Sequence, residues 1–234
     1  MPFTYQHPAH FVSVDTVIFG ADSRRDSCDI QLLLVERGDP AQPFAGAWAL
    51  PGGFVAPCES IDDAARRELA EETGIRAAFL EQLYTFGEPA RDPRGRVITV
   101  AYYALVNRAE CVARAGSDAS RAQWFDISAP PRLAFDHADI LAKALARLRA
   151  KVRYEPIGFN LLPEKFTLAQ LHALYEALLD RPIDLPNFRR AILRMGLLHE
   201  AGEEKDVAHR PAKLFRFEEK RYAQLVRRGL NFEI

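Results

Sequence analysis

The feature that most constrains this chain is a run of glycine and acidic residues in its first third. Its fixed positions are two glycines, four glutamates, one arginine and two apolar residues: Gly53, Glu59, Arg67, Glu68, Leu69, Glu71, Glu72, Gly74 and Ile75. Ser60 can cap the start of a helix, and Gly74 can end one. The spacing therefore predicts a helix over 61–73, preceded by a glycine turn at Gly52-Gly53.

Three glutamates share one face of that helix, because Glu68, Glu71 and Glu72 lie at positions i, i+3 and i+4. Three carboxylates on one face repel each other unless a cation compensates them. All-oxygen ligation suits Mg²⁺ or Mn²⁺. Arg67 can reach Glu71 across one turn, and Gly53 lets the loop bring a backbone carbonyl close. The alternative for such a pattern is a solvated acidic face.

With all nine positions in place, the run resembles the box of the Nudix hydrolases, and Trp48-Ala49-Leu50-Pro51 resembles the usual lead-in. The resemblance implies an α/β class fold, a Nudix α/β/α sandwich with a mixed sheet. It also implies hydrolysis of a nucleoside diphosphate derivative by water attack on phosphorus, with Mg²⁺ (or Mn²⁺) as cofactor.

The resemblance also implies roles for individual residues. Glu68, Glu71 and Glu72 would bind the metal, with a carbonyl at Gly53 or the preceding glycine. Catalytic roles are expected for Glu59, which would assist the metal site from outside the ligand set, and for the residues Arg67, Glu68 and Asp118. Asp118 lies six residues before Trp124, where some members carry the general base. A polar loop residue is the alternative for Asp118.

Four arginines are candidates for binding the substrate. Arg91, Arg94 and Arg96 lie in a basic turn that could hold phosphates bidentately, and Arg37 could line the same pocket. A solvated hairpin turn is the alternative for 91–96. Pro89, about fifteen residues past the box, is similar to a proline of the ADP-ribose pyrophosphatases. ADP-ribose, a nucleoside diphosphate sugar, is therefore the expected substrate.

The order of elements predicts two domains. Strand patterns cover 11–19, 30–35 and 97–106, and an amphipathic helix is expected from about 138 to 153. We expect a Nudix domain over 1–153 and a linker over 154–164. Residues 165–234 carry 13 Lys and Arg against 10 Asp and Glu, whereas the chain as a whole has a net charge of −1.

The C-terminal domain has the element order of a winged helix: helices over 168–179 and 185–195, then strands over 197–200 and 213–217, and a last helix over 219–229. It resembles the C-terminal winged helix-turn-helix domain of the Nudix-related transcriptional regulators. Residues expected to contact double-stranded operator DNA are polar or basic: Asn187, Arg189, Arg190, Arg194, Arg210 and Lys213. A packing or dimerisation module with a solvated basic face is the alternative.

Composition excludes several classes of protein. A hydrophobic fraction of 48% and a charged fraction of 27% are ordinary for a globular chain, and three widely spaced cysteines form no disulfide framework. No apolar run approaches the roughly 20 residues of a membrane-spanning helix. We therefore expect a cytoplasmic protein without a membrane partner, and a homodimer by resemblance.

The sequence favours a Mg²⁺-dependent pyrophosphatase that converts ADP-ribose to AMP and ribose 5-phosphate and carries a DNA-binding tail. The alternative is an ADP-ribose-sensing repressor of NAD or sugar metabolism whose Nudix domain is mainly a ligand sensor. A third possibility is a hydrolase of damaged nucleoside triphosphates.

Overall fold

The structure is a computed structural model, and it describes residues 10–24, 26–77, 79–108, 119–205, 210–229 and 232–233. The chain forms two compact units. The first consists of Met1–Ile18, Leu32–Ala104 and Val112–Ala144, and the second of Phe19–Gln31, Leu105–Cys111 and Leu145–Ile234. The domain bounds stated above stay a prediction.

Seven strands form one sheet. They are β1 (Phe11–Ser23), β2 (Cys28–Arg37), β3 (Trp48–Ala49), β4 (Gly52–Phe54), β5 (Phe79–Phe86), β6 (Val97–Asn107) and β7 (Ala119–Asp126). The order is β3-β2-β1-β6-β5, with β4 paired to β1 and β7 paired to β2. The short β4 runs antiparallel to β1, with Val14 opposite Gly53, and this pairing places the glycine turn on the sheet.

Helix α1 (Ile61–Thr73) begins and ends where the sequence predicts. The Ser60 side chain accepts a hydrogen bond from the Asp63 amide, and Gly74 ends the helix at a φ of 71°. The apolar face of α1 packs into a buried cluster: Val14, Ala64, Ala65, Val100 and Tyr102. This packing leaves the acidic face of α1 outside the core.

Helix α2 (His137–Lys151) has one buried face: Ile140, Leu141, Ala144 and Leu148. The segment predicted as a linker includes a 3-10 helix, Pro156–Leu161, with five buried residues. Within the second unit, the Phe159 ring stacks on Phe217 at 4.3 Å between centroids.

The rest of the second unit has two helices, a small sheet and a last helix: β8 (Phe166–Thr167), α3 (Leu168–Leu179), α4 (Leu185–Arg194), β9 (Leu198–Glu203), β10 (Lys213–Phe217) and α5 (Glu219–Arg227). The sheet order is β8-β10-β9, and both pairings are antiparallel. Thr167 and Gln170 form a capping box at α3, and Asp184 caps α4. None of the helices in the described ranges has both the length and the apolar composition needed to cross a bilayer.

Candidate functional site

Arg67 is the centre of the acidic face of α1. Its guanidinium donates hydrogen bonds to Glu59 at 2.7 and 3.0 Å, to Glu68 at 2.7 Å and to Glu71 at 2.9 Å. The hydrogen bonds from Arg67 lower the pKa of Glu59 to about 2. The sequence predicts only the Glu71 contact, since only that pair has the i, i+4 spacing. In the structure one cation compensates three carboxylates.

The glycine turn holds the other side of the same face. The Gly52 amide donates to Glu72 Oε2 at 2.8 Å. A Cβ placed on Gly53 would lie 2.2 Å from Glu68 Oε1, so the Glu68 carboxylate lies directly against the Gly53 backbone. Burial is the main cause of a raised pKa at Glu68, partly offset by Arg67. A further cation close to Glu68 would therefore stabilise the ionised form of its carboxylate.

The chemistry of this face fits a divalent cation, although the side chains are not gathered around one point. Glu68, Glu71 and Glu72 offer the hard oxygen ligands that Mg²⁺ prefers. Within the described part of the chain, no group of three or more acidic, histidine or cysteine side chains is close enough to hold a metal. Binding of one cation by all three glutamates therefore requires their carboxylates to move closer together.

A cavity of about 360 Å³ in the first unit adjoins the box. Glu68 and Glu72 line it, together with both glycines of the turn. Its charged lining has six carboxylates and three guanidiniums: Asp15, Glu36, Asp39, Glu68, Glu72, Asp92, Arg37, Arg91 and Arg94. A diphosphate would enter a lining with an excess of negative charge, which again favours a divalent cation at the box.

The four arginines expected to bind substrate differ in their surroundings. Arg37 lines the cavity and donates from Nε to the Pro43 carbonyl at 2.9 Å. Among the described residues, its two terminal nitrogens have no hydrogen-bond partner. Burial and the neighbouring Arg94 lower the pKa of Arg37. An anion bound in the cavity would raise the pKa of Arg37 and so offset the effects of burial and of Arg94.

Each of the three guanidinium nitrogens of Arg94 has a protein partner. Its Nε and Nη2 bind the Asp92 carboxylate, its Nη1 donates to Gln42 at 3.2 Å, and its guanidinium lies over the Phe54 ring. Arg96 donates to the Gly87 carbonyl and is not among the described residues that line the cavity. Arg94 therefore has fewer donors left for a phosphate than Arg37, and Arg96 lies outside the described lining of the cavity.

Arg91 is buried in an ion network that the sequence did not predict. Its guanidinium binds Asp136 at 2.7 and 2.9 Å and Asp15 at 3.3 Å. Asp15 also lies 3.5 Å from Nε2 of the buried His137. These partners stand 45 to 76 residues from Arg91, so no local sequence signal could have paired them. All but Asp136 line the cavity.

Two phenylalanines beside the cavity have unusual backbones. Phe44 and Phe135 adopt positive φ values of 60° and 52°, and their rings meet edge to face at 4.7 Å. A bulky side chain in this region is strained, and such strain concentrates at functional sites. The Arg37 guanidinium lies 5.0 Å above Phe135, which lines the cavity. Asp118, the candidate base, lies outside the described residues.

The second unit presents the predicted DNA-contacting side chains on its surface. Phe188 and Ile192 are buried, whereas the predicted contacts on α4 are exposed: Asn187, Arg189, Arg190 and Arg194. Arg210 and Lys213 are exposed too, although Lys213 pairs with Glu200 at 2.9 Å. Arg189 and Lys213 line one groove of about 620 Å³ with the start of α3. The groove is largely apolar, and its lining also includes the carboxylates of Asp26 and Glu200.

Two family models match the chain. The NUDIX domain model matches residues 9–148, and the NrtR DNA-binding winged helix domain model matches residues 158–217. The "ADPR responsive transcriptional repressor NtrR" of Acinetobacter baylyi is 36% identical over 90% of this chain and 83% of its own length. The "ADP-ribose pyrophosphatase" of Methanocaldococcus jannaschii is 40% identical over 58% of this chain and 73% of its own length.

Two solved structures of NrtR from Shewanella oneidensis are also similar to this chain. Shewanella oneidensis NrtR in complex with a 27mer DNA has a TM-score of 0.75 at 34% identity, covering 88% of this chain and 93% of that one. Its NUDIX domain in complex with ADP ribose has a TM-score of 0.53 at 34% identity, covering 61% of this chain and 90% of that one.

Fold and site together define an α/β domain with a glycine turn and a glutamate-rich helix beside a cavity, followed by a winged helix domain. The chain belongs to the Nudix family, and it carries the winged helix domain of the NrtR type. The predicted family, the mixed-sheet α/β fold and the C-terminal winged helix are confirmed. The roles of individual site residues, the homodimer and the cytoplasmic location stay predictions.

Proposed function

We propose that the protein is an ADP-ribose-responsive transcriptional regulator, in which the cavity of the first unit binds ADP-ribose and the winged helix binds operator DNA. The sequence alone puts hydrolysis first. The comparisons favour regulation, because the relative that aligns over 90% of the chain is a repressor. That alignment, which includes the winged helix, is the observation that carries the proposal.

The cavity supports a diphosphate ligand through Arg37. Its terminal nitrogens have no protein acceptor among the described residues, and the nearby Arg94 guanidinium adds positive charge, although each of its nitrogens already has a protein partner. A guanidinium whose two terminal nitrogens are both unused suits bidentate contact with a phosphate. Arg37 is therefore the proposed anchor for the diphosphate, ahead of Arg94 and Arg96.

Two binding measurements test the proposal. A duplex selected from a randomised library by the protein should bind it more tightly than an unselected duplex, in a fluorescence anisotropy titration. ADP-ribose should bind by calorimetry, and Arg37→Met should weaken it about tenfold or more, as expected for loss of a charged hydrogen bond. The control is Arg76→Met, at an exposed arginine of the same unit. Failure to bind ADP-ribose would refute the proposal that ADP-ribose is the ligand. Failure to select a duplex would refute the proposal that the winged helix binds DNA.

Hydrolysis is the second candidate, and the complete box favours it. Glu68, Glu71, Glu72 and the Gly53 carbonyl would hold a divalent cation, which in this family neutralises the pyrophosphate and activates water. Glu59 holds Arg67, and Arg67 keeps Glu68 and Glu71 in place before the cation arrives. Arg37 would orient the diphosphate beside Glu68.

Release of AMP from ADP-ribose tests hydrolysis directly. Turnover with Mg²⁺ or Mn²⁺, lost with chelator and in Glu71→Gln, would establish the enzyme. ADP-ribose binding without AMP release would exclude hydrolysis and would support the regulator only. A panel that includes oxidised nucleoside triphosphates would test the third possibility from the sequence.

A further inference from the structure

The amide of Leu50 has an imidazole as its partner. Leu50 N–H donates to His137 Nδ1 at 2.9 Å, across 87 residues of sequence. Leu50 is 3% exposed and His137 is 4% exposed. Both residues are almost fully buried, and loss of this bond leaves a buried amide without its acceptor.

The hydrogen bond from Leu50 fixes the tautomer of His137, and Asp15 lies near the other ring nitrogen. Because Nδ1 accepts a hydrogen bond, the ring proton lies on Nε2, which is 3.5 Å from Asp15 Oδ1. Asp15 is held in turn by Arg91, which also binds Asp136 next to His137. Burial lowers the pKa of His137, so the ring stays neutral and keeps its acceptor.

The residues that follow Leu50 hold the box. Pro51 accepts a hydrogen bond from the Thr16 amide at 2.8 Å, Gly52 donates to Glu72, and Gly53 contacts Glu68. The turn Leu50–Gly53 is thus held on the sheet by Thr16 and by the pairing of β4 with β1, and at its first residue by His137, at the start of α2. On the helix side it sets the positions of two carboxylates.

We propose that His137 is a positioning residue for the box: its Nδ1 holds the turn Leu50–Gly53 where Gly52 and Gly53 can fix Glu72 and Glu68. None of its atoms needs to touch the ligand or the cation. The functional part of this inference rests on the proposed cation site, whereas the geometric part is independent of it.

Two substitutions separate positioning from packing. His137→Asn can place an acceptor near the position of Nδ1, whereas His137→Gln places its amide near Nε2 and leaves Leu50 N–H unpaired. Each variant loses one buried partner, so both should lower the midpoint of urea unfolding to a similar degree. Only His137→Gln should loosen the turn.

Amide exchange and Mn²⁺ binding give the two readouts. In His137→Gln, exchange of the Leu50 and Gly52 amides should accelerate about tenfold or more, and Mn²⁺ affinity measured by electron paramagnetic resonance should fall about tenfold. His137→Asn should stay within about threefold of wild type in both. A matched control is His172→Gln, in the second unit, where Nε2 lies 2.8 Å from the Ile183 carbonyl.

Equal effects of the Asn and Gln variants on amide exchange and on Mn²⁺ affinity, or wild-type behaviour of His137→Gln in both measurements, would overturn the proposal. If wild-type protein binds no Mn²⁺, the cation site fails, and amide exchange still decides the role of His137. If His137→Gln does not fold, imidazole nitrogen spectra of the wild-type protein decide. An unprotonated Nδ1 is expected, and a protonated Nδ1 would overturn the proposal.

Discussion

Gly53 and Glu68 are in direct contact: the carboxylate of Glu68 occupies the space that a side chain at position 53 would need. The nearest approach, 2.2 Å from an added Cβ to Glu68 Oε1, is far inside van der Waals contact. Glycine is therefore required here by the neighbouring carboxylate. The glycine turn and helix α1 therefore pack in direct contact at Gly53 and Glu68.

Gly53→Ala should displace Glu68 and lower Mn²⁺ affinity about tenfold or more, the range seen when groups that orient metal ligands are changed. Electron paramagnetic resonance of free Mn²⁺ measures the change. Gly87→Ala is the matched control, because its Cβ would lie 3.8 Å from the nearest atom. Equal affinities of the two variants would show that the contact has no role in cation binding.

Arg67→Gln should return the pKa of Glu59 from about 2 toward its ordinary value of 4.5. A lowered carboxylate pKa stabilises the fold above pH 4.5, and this contribution is lost as the pH falls toward 2. Carbon-13 titration of Glu59 in the presence of chelator measures it. Arg66→Gln, at an exposed neighbour, should leave the titration unchanged. An unshifted Glu59 in Arg67→Gln would contradict the assigned cause.

The first unit should lose stability in mild acid because of His137. Its folded pKa is lowered from 6.5, so the unfolded chain binds the proton more readily and stability falls as the pH drops below 6.5. The slope should reach at most about 1.4 kcal/mol per pH unit. Urea unfolding followed by the fluorescence of Trp48 and Trp124, both in the first unit, measures it. His137→Asn should remove this slope, and an equal slope in the variant would contradict the prediction.

Arg189→Ala should weaken DNA binding, because Arg189 is exposed on α4 and lines the groove beside Lys213. If Arg189 contacts a phosphate, the slope of log affinity against log salt should decrease by about 0.9. If it reads a base, discrimination between selected and unselected duplexes should fall instead. Arg132→Ala, at an exposed arginine of the first unit, is the control. Unchanged affinity and specificity would exclude Arg189 from the interface.

The sequence predicts those parts of the structure that depend on near neighbours. Helix α1 is predicted to the residue, because Ser60 and Gly74 act on backbone groups within one turn. Strand β1 extends beyond the predicted 11–19 to Phe11–Ser23, since pairing with other strands sets its length. Strands β3 and β4, two and three residues long, carry too few residues for any periodicity.

In the candidate site, too, the sequence predicts features that depend on local spacing and does not predict contacts between distant segments. The glutamates of the box can be found from spacing alone, because a helix places them on one face. The contacts of Gly53 with Glu68 and of His137 with Leu50 depend on how distant segments pack, and no local pattern carries that information. The basic turn at 91–96 shows the same limit: its composition suggests phosphate binding, but Arg91 and Arg94 pair with carboxylates of the protein.

The most direct test of the central proposal is the affinity of the full-length protein for its selected duplex, measured with and without saturating ADP-ribose at one salt concentration. The proposal predicts a change of about fivefold or more, the usual size of coupling between two sites. The same change should appear in the affinity for ADP-ribose when the duplex is saturating. Equal DNA affinity with and without bound ADP-ribose would contradict an ADP-ribose-responsive regulator.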